Sequence, residues 1–188
     1  MFETIEYGFY TVDSDYLEYL NRVDSEVYYN PSYRKSTKPF VGIIVCVENY
    51  KYFIPISSAK EKHRNWKNVS NEHFLIYEVI SNDITIEGDI YKYYSEKEKM
   101  HILALLDIKK MIPVPEGHYK RIEFNELNDS RYRDLFQKEY AFCLSIKSKL
   151  INKVEKLYKK QKETGIVRRA NCNFLALEEA MKSWIKSL

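Results

Sequence analysis

The apolar positions of this chain change their spacing about two-thirds of the way along. Up to roughly residue 125 they come in short runs bounded by polar turns, the pattern of strands. Phe9 to Val12 predicts a short strand. Asp13 or Ser14 then caps a helix to about Val23, with Tyr16, Leu17, Leu20 and Val23 on one face. Phe40 to Val47 (FVGIIVCV) is a buried strand, and the turn Glu48-Asn49-Tyr50 leads into a second strand, Lys51 to Ile56, so the two form a hairpin. Phe74 to Ile80 predicts another strand. Ile102 to Leu106 and Met111 to Val114 read as a strand and its return around Asp107-Ile108-Lys109-Lys110, and Tyr119 to Phe124 as one more short strand. Residues 81–100 are polar and Tyr-rich and carry no period that assigns them.

Past residue 130 the spacing becomes helical. Leu135, Tyr140, Cys143, Ile146, Leu150, Val154 and Leu157 recur every three to five residues. They predict one long amphipathic helix from about Ser130 to Lys162, ended near Gly165. A second helix follows from about Phe174 to Ser187, with Asn173 as its cap. The expected class is α+β: a compact, mostly antiparallel sheet with an N-terminal helix against it, then a long helical segment. The expectation is one domain, with a β-rich core over about 1–125 and helices over about 130–188.

Composition narrows the functions available. The 188 residues are enough for one sizeable core. The formal charge of +3 permits a nucleic-acid partner without demanding one. The 17 tyrosines reflect either an AT-rich codon bias or a surface that stacks bases. Cys46, Cys143 and Cys172 are far apart, odd in number and outside any CxxC, which suits a reducing compartment. Each has apolar neighbours and is expected to be buried and inert. The first residues lack a basic segment followed by an apolar one, and no apolar run approaches the roughly 20 residues of a membrane span. The expectation is a soluble, cytoplasmic protein with no membrane partner.

The stretch Phe53 to Lys67, FIPISSAKEKHRNWK, concentrates the candidate chemistry. Two serines and four cationic side chains with a histidine follow a strand, a combination that suits a phosphate. A serine pair there is also a common turn that bonds its own backbone, and a Lys-rich run a common solvated loop. The four histidines show no HxH or HExxH spacing and no carboxylate cluster suggests paired divalent ions, so neither metal nor cofactor is expected. GxxxxGK[ST], GxGxxG and GxSxG are all absent. Metal-free RNA cleavage needs only hydroxyls, cations and a proton carrier, because RNA brings its own 2′-OH nucleophile. Lys60 and Ser58 fit the phosphate role, and His63 has the intrinsic pKa for proton transfer. A non-catalytic RNA-binding module and a small-molecule phosphotransferase or phosphatase are the alternatives.

Several segments together resemble the ToxN/AbiQ family, the endoribonuclease toxins of type III toxin–antitoxin systems. KPFVGIIVCVENYKYFIPISSAKEKH is similar to its signature of a K-x-[FY]-[IV]-G-[IV] strand followed by P-[LI]-[ST]-S-P-K-x-x-H. Lys38, Phe40, Val41, Gly42 and Ile43 match the first part, and Pro55, Ile56, Ser57, Ser58, Lys60 and His63 the second. DSDYLEYLNRVD, HILALLDIKKMIPVP and NCNFLALEEA resemble its first helix, its "LNxxxMIPV" stretch and its C-terminal helix. The order is collinear from about Tyr10 to Trp184. Ala59 stands where the family usually has Pro, and the segment from Ile80 to Met100 is longer than the pattern leads one to expect.

The resemblance implies a β-barrel-like core of the MazF/Kid kind with added helices. It implies sequence-selective, metal-independent cleavage that leaves 2′,3′-cyclic phosphate and 5′-OH ends. It also implies inhibition by a repeat RNA folded as a pseudoknot, a higher-order protein–RNA assembly, and abortive infection against phage. By the same match, Ser57, Ser58, Lys60, Lys38 and Tyr33 are the implied site residues. Lys38 and Lys60 would neutralise phosphate, the two serines would donate to its oxygens, and Tyr33 and His63 are candidate proton carriers. His63 is alternatively a structural link. Charge adds an RNA-binding reading: Arg34 and Lys35 before the hairpin, and Lys62, Arg64 and Lys67 after it, flank one strand pair. Lys156, Lys159, Lys160, Lys162, Arg168 and Arg169 form a second cluster, either a grip on the antitoxin RNA or a solvated helix end. Tyr28, Tyr29, Tyr33 and Trp66 are candidate stacking rings.

Overall fold

The computed structural model describes residues 8–34 and 41–187. Among them eight strands form one antiparallel sheet: β1 (Phe9–Val12), β2 (Val41–Val47), β3 (Tyr50–Ser58), β4 (His73–Ser81), β5 (Ile90–Tyr93), β6 (Glu98–Asp107), β7 (Ile112–Pro113) and β8 (Tyr119–Arg121). The strand order is β4-β6-β3-β2-β1-β8, with β5 paired to β6 and β7 to β3. Four α-helices accompany it: α1 (Ser14–Val23), α2 (Ser130–Ser145), α3 (Lys147–Thr164) and α4 (Phe174–Lys186).

The hairpin forms as its sequence predicts, in register from Gly42↔Pro55 to Val47↔Tyr50. A Cβ at Gly42 would come within 2.4 Å of the Ile54 carbonyl oxygen and 2.5 Å of the Phe53 ring, so only glycine lets these strands approach. Strand β3 runs further than its apolar run, through Ser57 and Ser58, because β6 supplies a partner for them. On that edge β3 pairs first with β7, at Tyr52 and Phe53, then with β6, at Ile56 to Ser58. Pro55, which has no N–H to donate, falls between the two partners. The unassigned segment 81–100 completes the other half of the sheet. Its residues Ile90–Tyr93 form β5, which pairs with β6 at Ile102 to Lys99, and β6 begins at Glu98.

The structure departs from or refines the expectations at three places. The sheet path does not close among the described residues, so the core is an open sheet; α2 packs against the edge strand β4, where Tyr77 meets Phe142 at 5.3 Å. The long C-terminal helix is two helices, broken at Ile146 (φ −102°, ψ 3°). There the Ser145 hydroxyl donates to the Phe142 carbonyl at 2.7 Å. The apolar spacing continues through the break because both helices face the same core, which is why the pattern did not show it. Asp13 takes the N-cap position of α1 without a side-chain cap bond, and its carboxylate instead meets His118 Nδ1 at 3.0 Å. Asn173 does cap α4, accepting from the Ala176 N–H, and Gly165 closes α3 in the left-handed region (φ 66°).

The main core lies between the sheet and the helices. Aromatic rings tie its layers: Phe9 meets Phe124, Phe136 and Tyr140, and Trp184 of α4 meets Tyr16 and Tyr19 of α1. Cys143 and Cys172 are fully buried, whereas Cys46 is only half-buried. Among the described residues no helix is long and apolar enough to cross a membrane.

One buried polar knot joins β3, α3 and α4. Glu178 Oε1 accepts from the Tyr52 hydroxyl at 2.6 Å and from the Tyr158 hydroxyl at 2.8 Å. Burial, with this hydrogen bond next, holds both phenols well above the usual tyrosine range, so they remain donors. Glu178→Ala is expected to destabilise the fold by about 2–4 kcal/mol, since each buried hydroxyl left unpaired costs roughly 1–3 kcal/mol. Glu178→Gln keeps an acceptor and should lose less. Urea unfolding checks this; identical midpoints for the wild type and Glu178→Ala would remove the knot from the stability of the fold.

Candidate active site

The end of β3 opens onto a cleft of about 250 Å³. It is lined by Ser57 of β3, Lys60, Lys62, His63 and Trp66 of the following loop, Leu105 and Asp107 of β6, Lys109 and Lys110 of the next turn, Tyr28 and Ala170. The strand alternation decides which serine enters. Successive strand residues face opposite sides. Ser57 pairs with Leu105 and shares its side, whereas Ser58 pairs with Ala104 and stands exposed at the strand's last position. A register shift at Ile76/Tyr77 lets Ile102 join the side of Leu105. Leu75, Ile90, Ile102 and Leu105 then make a small second core, covered by Ala59 and Trp66, that supports the cleft.

The loop after the strand folds as a 3-10 turn, Glu61–Asn65, locked by His63. The His63 N–H donates to the Lys60 carbonyl at 2.8 Å, and the Lys60 N–H donates to His63 Nδ1 at 3.0 Å. Nδ1 is thus an acceptor, which puts the proton of the neutral ring on Nε2. Burial first, then Lys62, Lys60 and His73, lowers the pKa of His63. The buried ring is thereby tied to its own loop through Nδ1. Trp66 lies between His63 and His73, with ring centroids at 4.8 and 5.0 Å. Lys62 and Lys109 stand over its ring at 5.3 and 5.8 Å.

Asp107, with Lys109 and Lys110 beside it, is the part of the cleft that sequence reasoning missed. Asp107 is 2% exposed and accepts from the Tyr28 hydroxyl at 2.8 Å through Oδ2, while Oδ1 has no hydrogen-bond partner among the described residues. Burial pushes its carboxyl up, against Lys109, the Tyr28 hydrogen bond, Lys110 and His73. Lys110 is buried and already engaged by the carboxylate and carbonyl of Glu26. In the sequence these residues looked like an ordinary turn, and nothing in their spacing ties them to Ser57.

Of the other expected site residues, Lys35 and Lys38 lie outside the described residues. Tyr33 and Arg34 belong to a 3-10 turn, Pro31–Arg34. Arg64 is exposed and paired with Glu61 at 2.7 Å, and Lys67 is exposed, its carbonyl meeting His73 Nε2 at 2.9 Å. Neither lines the cleft.

The second cluster divides. Lys149, Lys153, Lys156 and Lys160 form a stripe on α3 that, with Arg168 and Asn71, lines a groove of about 340 Å³. A helix turns about 100° per residue, so Lys159 sits well off that stripe beside Lys160. Lys162 is turned to Glu48 at 2.6 Å. Arg169 is exposed outside the groove. The loop after α3 borders both sites, with Arg168 in the groove and Ala170 in the cleft. Among the described residues no group of His, Cys, Asp and Glu is arranged to hold a metal ion.

Comparison with known proteins places the chain in a family. Residues 8–182 match the profile of the family described as "Toxin ToxN, type III toxin-antitoxin system". Endoribonuclease ToxN of Bacillus thuringiensis subsp. kurstaki is 28% identical over 185 residues, covering 94% of this chain and 83% of that protein. A solved structure from work on selective toxin inhibition by a non-coding RNA pseudoknot in type III toxin–antitoxin systems superposes with a TM-score of 0.71 at 26% identity, covering 97% of this chain and 99% of the other. A second, from work on a processed non-coding RNA that regulates a bacterial antiviral system, gives 0.72 at 25% identity, covering 94% and 98%. With nearly its whole length matched by the profile, this chain belongs to the ToxN toxin family of type III toxin–antitoxin systems.

Proposed function

We propose that this chain is a sequence-selective endoribonuclease toxin that cleaves single-stranded RNA without a metal ion, acting as one domain in the cytoplasm. The observation that carries the reading is the cleft at the end of β3, where Ser57, Lys60, Lys62 and Lys109 converge beside Trp66. The substrate's 2′-OH gives up its proton as its oxygen attacks the adjacent phosphorus, the bond to the 5′-oxygen breaks as that oxygen takes up a proton, and the products are a 2′,3′-cyclic phosphate and a 5′-OH. Lys60 and Lys62 neutralise the phosphorus centre as its charge builds, and Ser57 and Ser58 donate to its oxygens from the two sides of the strand end. Trp66 stacks a neighbouring base. Lys38 and Tyr33 complete the site in this reading. The open sheet, with β3 handed from β7 to β6, is the part of the fold we relate to a MazF/Kid-like core.

The inhibitor in this reading is a repeat RNA folded as a pseudoknot, bound in a higher-order assembly, with phage abortive infection as the outcome. The loop carrying Arg168 and Ala170 makes the α3 groove and the cleft neighbours, so one RNA can lie across both.

Three outcomes test the proposal. Cleavage should persist in excess EDTA, and a 2′-deoxy nucleotide at the cut should block it, because the nucleophile is then missing. Cutting of the deoxy substrate, read by mapping product ends, would falsify the mechanism. Ser57→Ala and Ser58→Ala are each expected to lower the cleavage rate about 10²–10³-fold, the usual loss for one donor to a developing charge. Either variant that stays soluble and cuts at the wild-type rate takes its serine out of the mechanism. For the groove, Lys156→Ala with Lys160→Ala should flatten the log–log salt dependence of antitoxin RNA binding by about 1.4, at about 0.7 per lost phosphate contact. Lys159→Ala should leave the slope unchanged. Titrations at several salt concentrations decide, and equal slopes for all three proteins would place the RNA elsewhere.

A further inference from the structure

Among the described residues lining the cleft, Asp107 contributes the only carboxylate, and the fold leaves one of its oxygens idle. The residue ends β6 opposite His73 of β4, on the side of the sheet that carries Ser57. Its Oδ2 is held by the Tyr28 hydroxyl, and Oδ1 is buried without a hydrogen-bond partner among the described residues. A buried acceptor with no donor is costly, and such groups persist where something outside the fold completes them. The neighbouring ammonium groups do not serve it: Lys110 is turned to Glu26, and Lys109 stands over Trp66.

We propose that Asp107 is a specificity-determining residue that accepts a hydrogen bond from the exocyclic amino group of an adenine or cytosine in the substrate RNA. This rests on the ribonuclease reading above. A carboxyl oxygen repels phosphate, so its ligand in a cleft built for RNA is an N–H on a base edge. Single-stranded RNA is read along such edges once its bases are unstacked and laid on aromatic rings, and Trp66 and Tyr28 line the same cleft. One remaining acceptor matches one amino group, as in the pairing of Asp or Glu with the cytosine amine. Beside that amine, adenine and cytosine carry a ring-nitrogen acceptor, and Lys109 brings a donor to the same cleft. Guanine presents N1–H there, where the lysine stands. Uracil flanks its single N–H with carbonyl oxygens that face the carboxyl unfavourably.

The test starts from a random-sequence RNA pool cut by the purified protein, with the new ends sequenced. Wild type should enrich adenine or cytosine at one position near the cut. Replacing that base by purine riboside or pyrimidin-2-one riboside, which lack the amine, should slow cutting about 10- to 100-fold. Asp107→Ala should lose both the enrichment and the sensitivity to the missing amine. Asp107→Asn, which keeps an acceptor and a partner for Tyr28, should retain them. Wild-type cutting indifferent to amine removal at every position overturns the proposal whether or not the alanine variant folds. So does unchanged discrimination in Asp107→Ala, or an equal slowing of all substrates in Asp107→Asn, which would mark a proton-transfer residue. In each of these RNA is still cut by the wild type. No cutting of any RNA by the wild type would instead remove the ribonuclease reading and this proposal with it.

Discussion

Three residue pairs, Ile56↔Leu106, Ser57↔Leu105 and Ser58↔Ala104, join the two halves of the sheet and set the position of everything around the cleft. Through them β3 passes from the main core to a strand that also carries Asp107. Because side chains alternate, the same pairing puts Ile56 and Leu106 into the main core and turns Ser57 and Leu105 the other way. A slip of one residue would exchange the two faces and bury the serine that now lines the cleft. The register is held from both sides. The hairpin clamps β3 at Gly42, where no larger residue fits, and the apolar faces of β4 and β6 hold the far end.

The cleft is balanced by burial and charge together. Four lysines lie around it, a density that repels itself unless anions or structure offset it. Glu26 neutralises Lys110, and Lys62 and Lys109 rest against the Trp66 ring. His63 is kept neutral by burial and by Lys62, Lys60 and His73, and it uses Nδ1 to hold the Lys60 backbone in place. A protonated ring there would add to the repulsion and lose that bond, so the histidine works by staying uncharged. Asp107 is the counterpoint, a carboxyl whose burial resists ionisation while the surrounding cations favour it.

The helical segment does two separate jobs with its two faces. Leu150, Val154 and Tyr158 of α3 are buried in the main core, and Tyr158 reaches Glu178 of α4. The opposite stripe of lysines faces outward and makes the basic groove. One short loop then brings that groove to the border of the cleft, so a partner bound along α3 lies close to the β3 end.

Local pattern was enough for most of the elements. The hairpin, the first helix, the C-terminal helix with its Asn173 cap and the helix end at Gly165 all follow from spacing and end signals, which act over a few residues. Family membership was legible too, because its motifs are short strings around Gly42, Pro55–His63 and Asn171–Ala180. Ser57, Lys60, Lys62, His63 and Trp66 line the cleft together because they sit in one stretch. What the sequence left undecided depends on partners far away along the chain. Whether Ser57 or Ser58 faces the cleft is set by β6, almost fifty residues on. The strand at Ile90–Tyr93 exists only because β6 has an edge to fill. Asp107 and Lys109 join the site through that same pairing, and the break at Ile146 is hidden by an apolar spacing that runs on across it. Only the fold could decide these, because hydrogen-bond ladders and shared cores act through space, and neither residue of such a pair carries a local sign of the other.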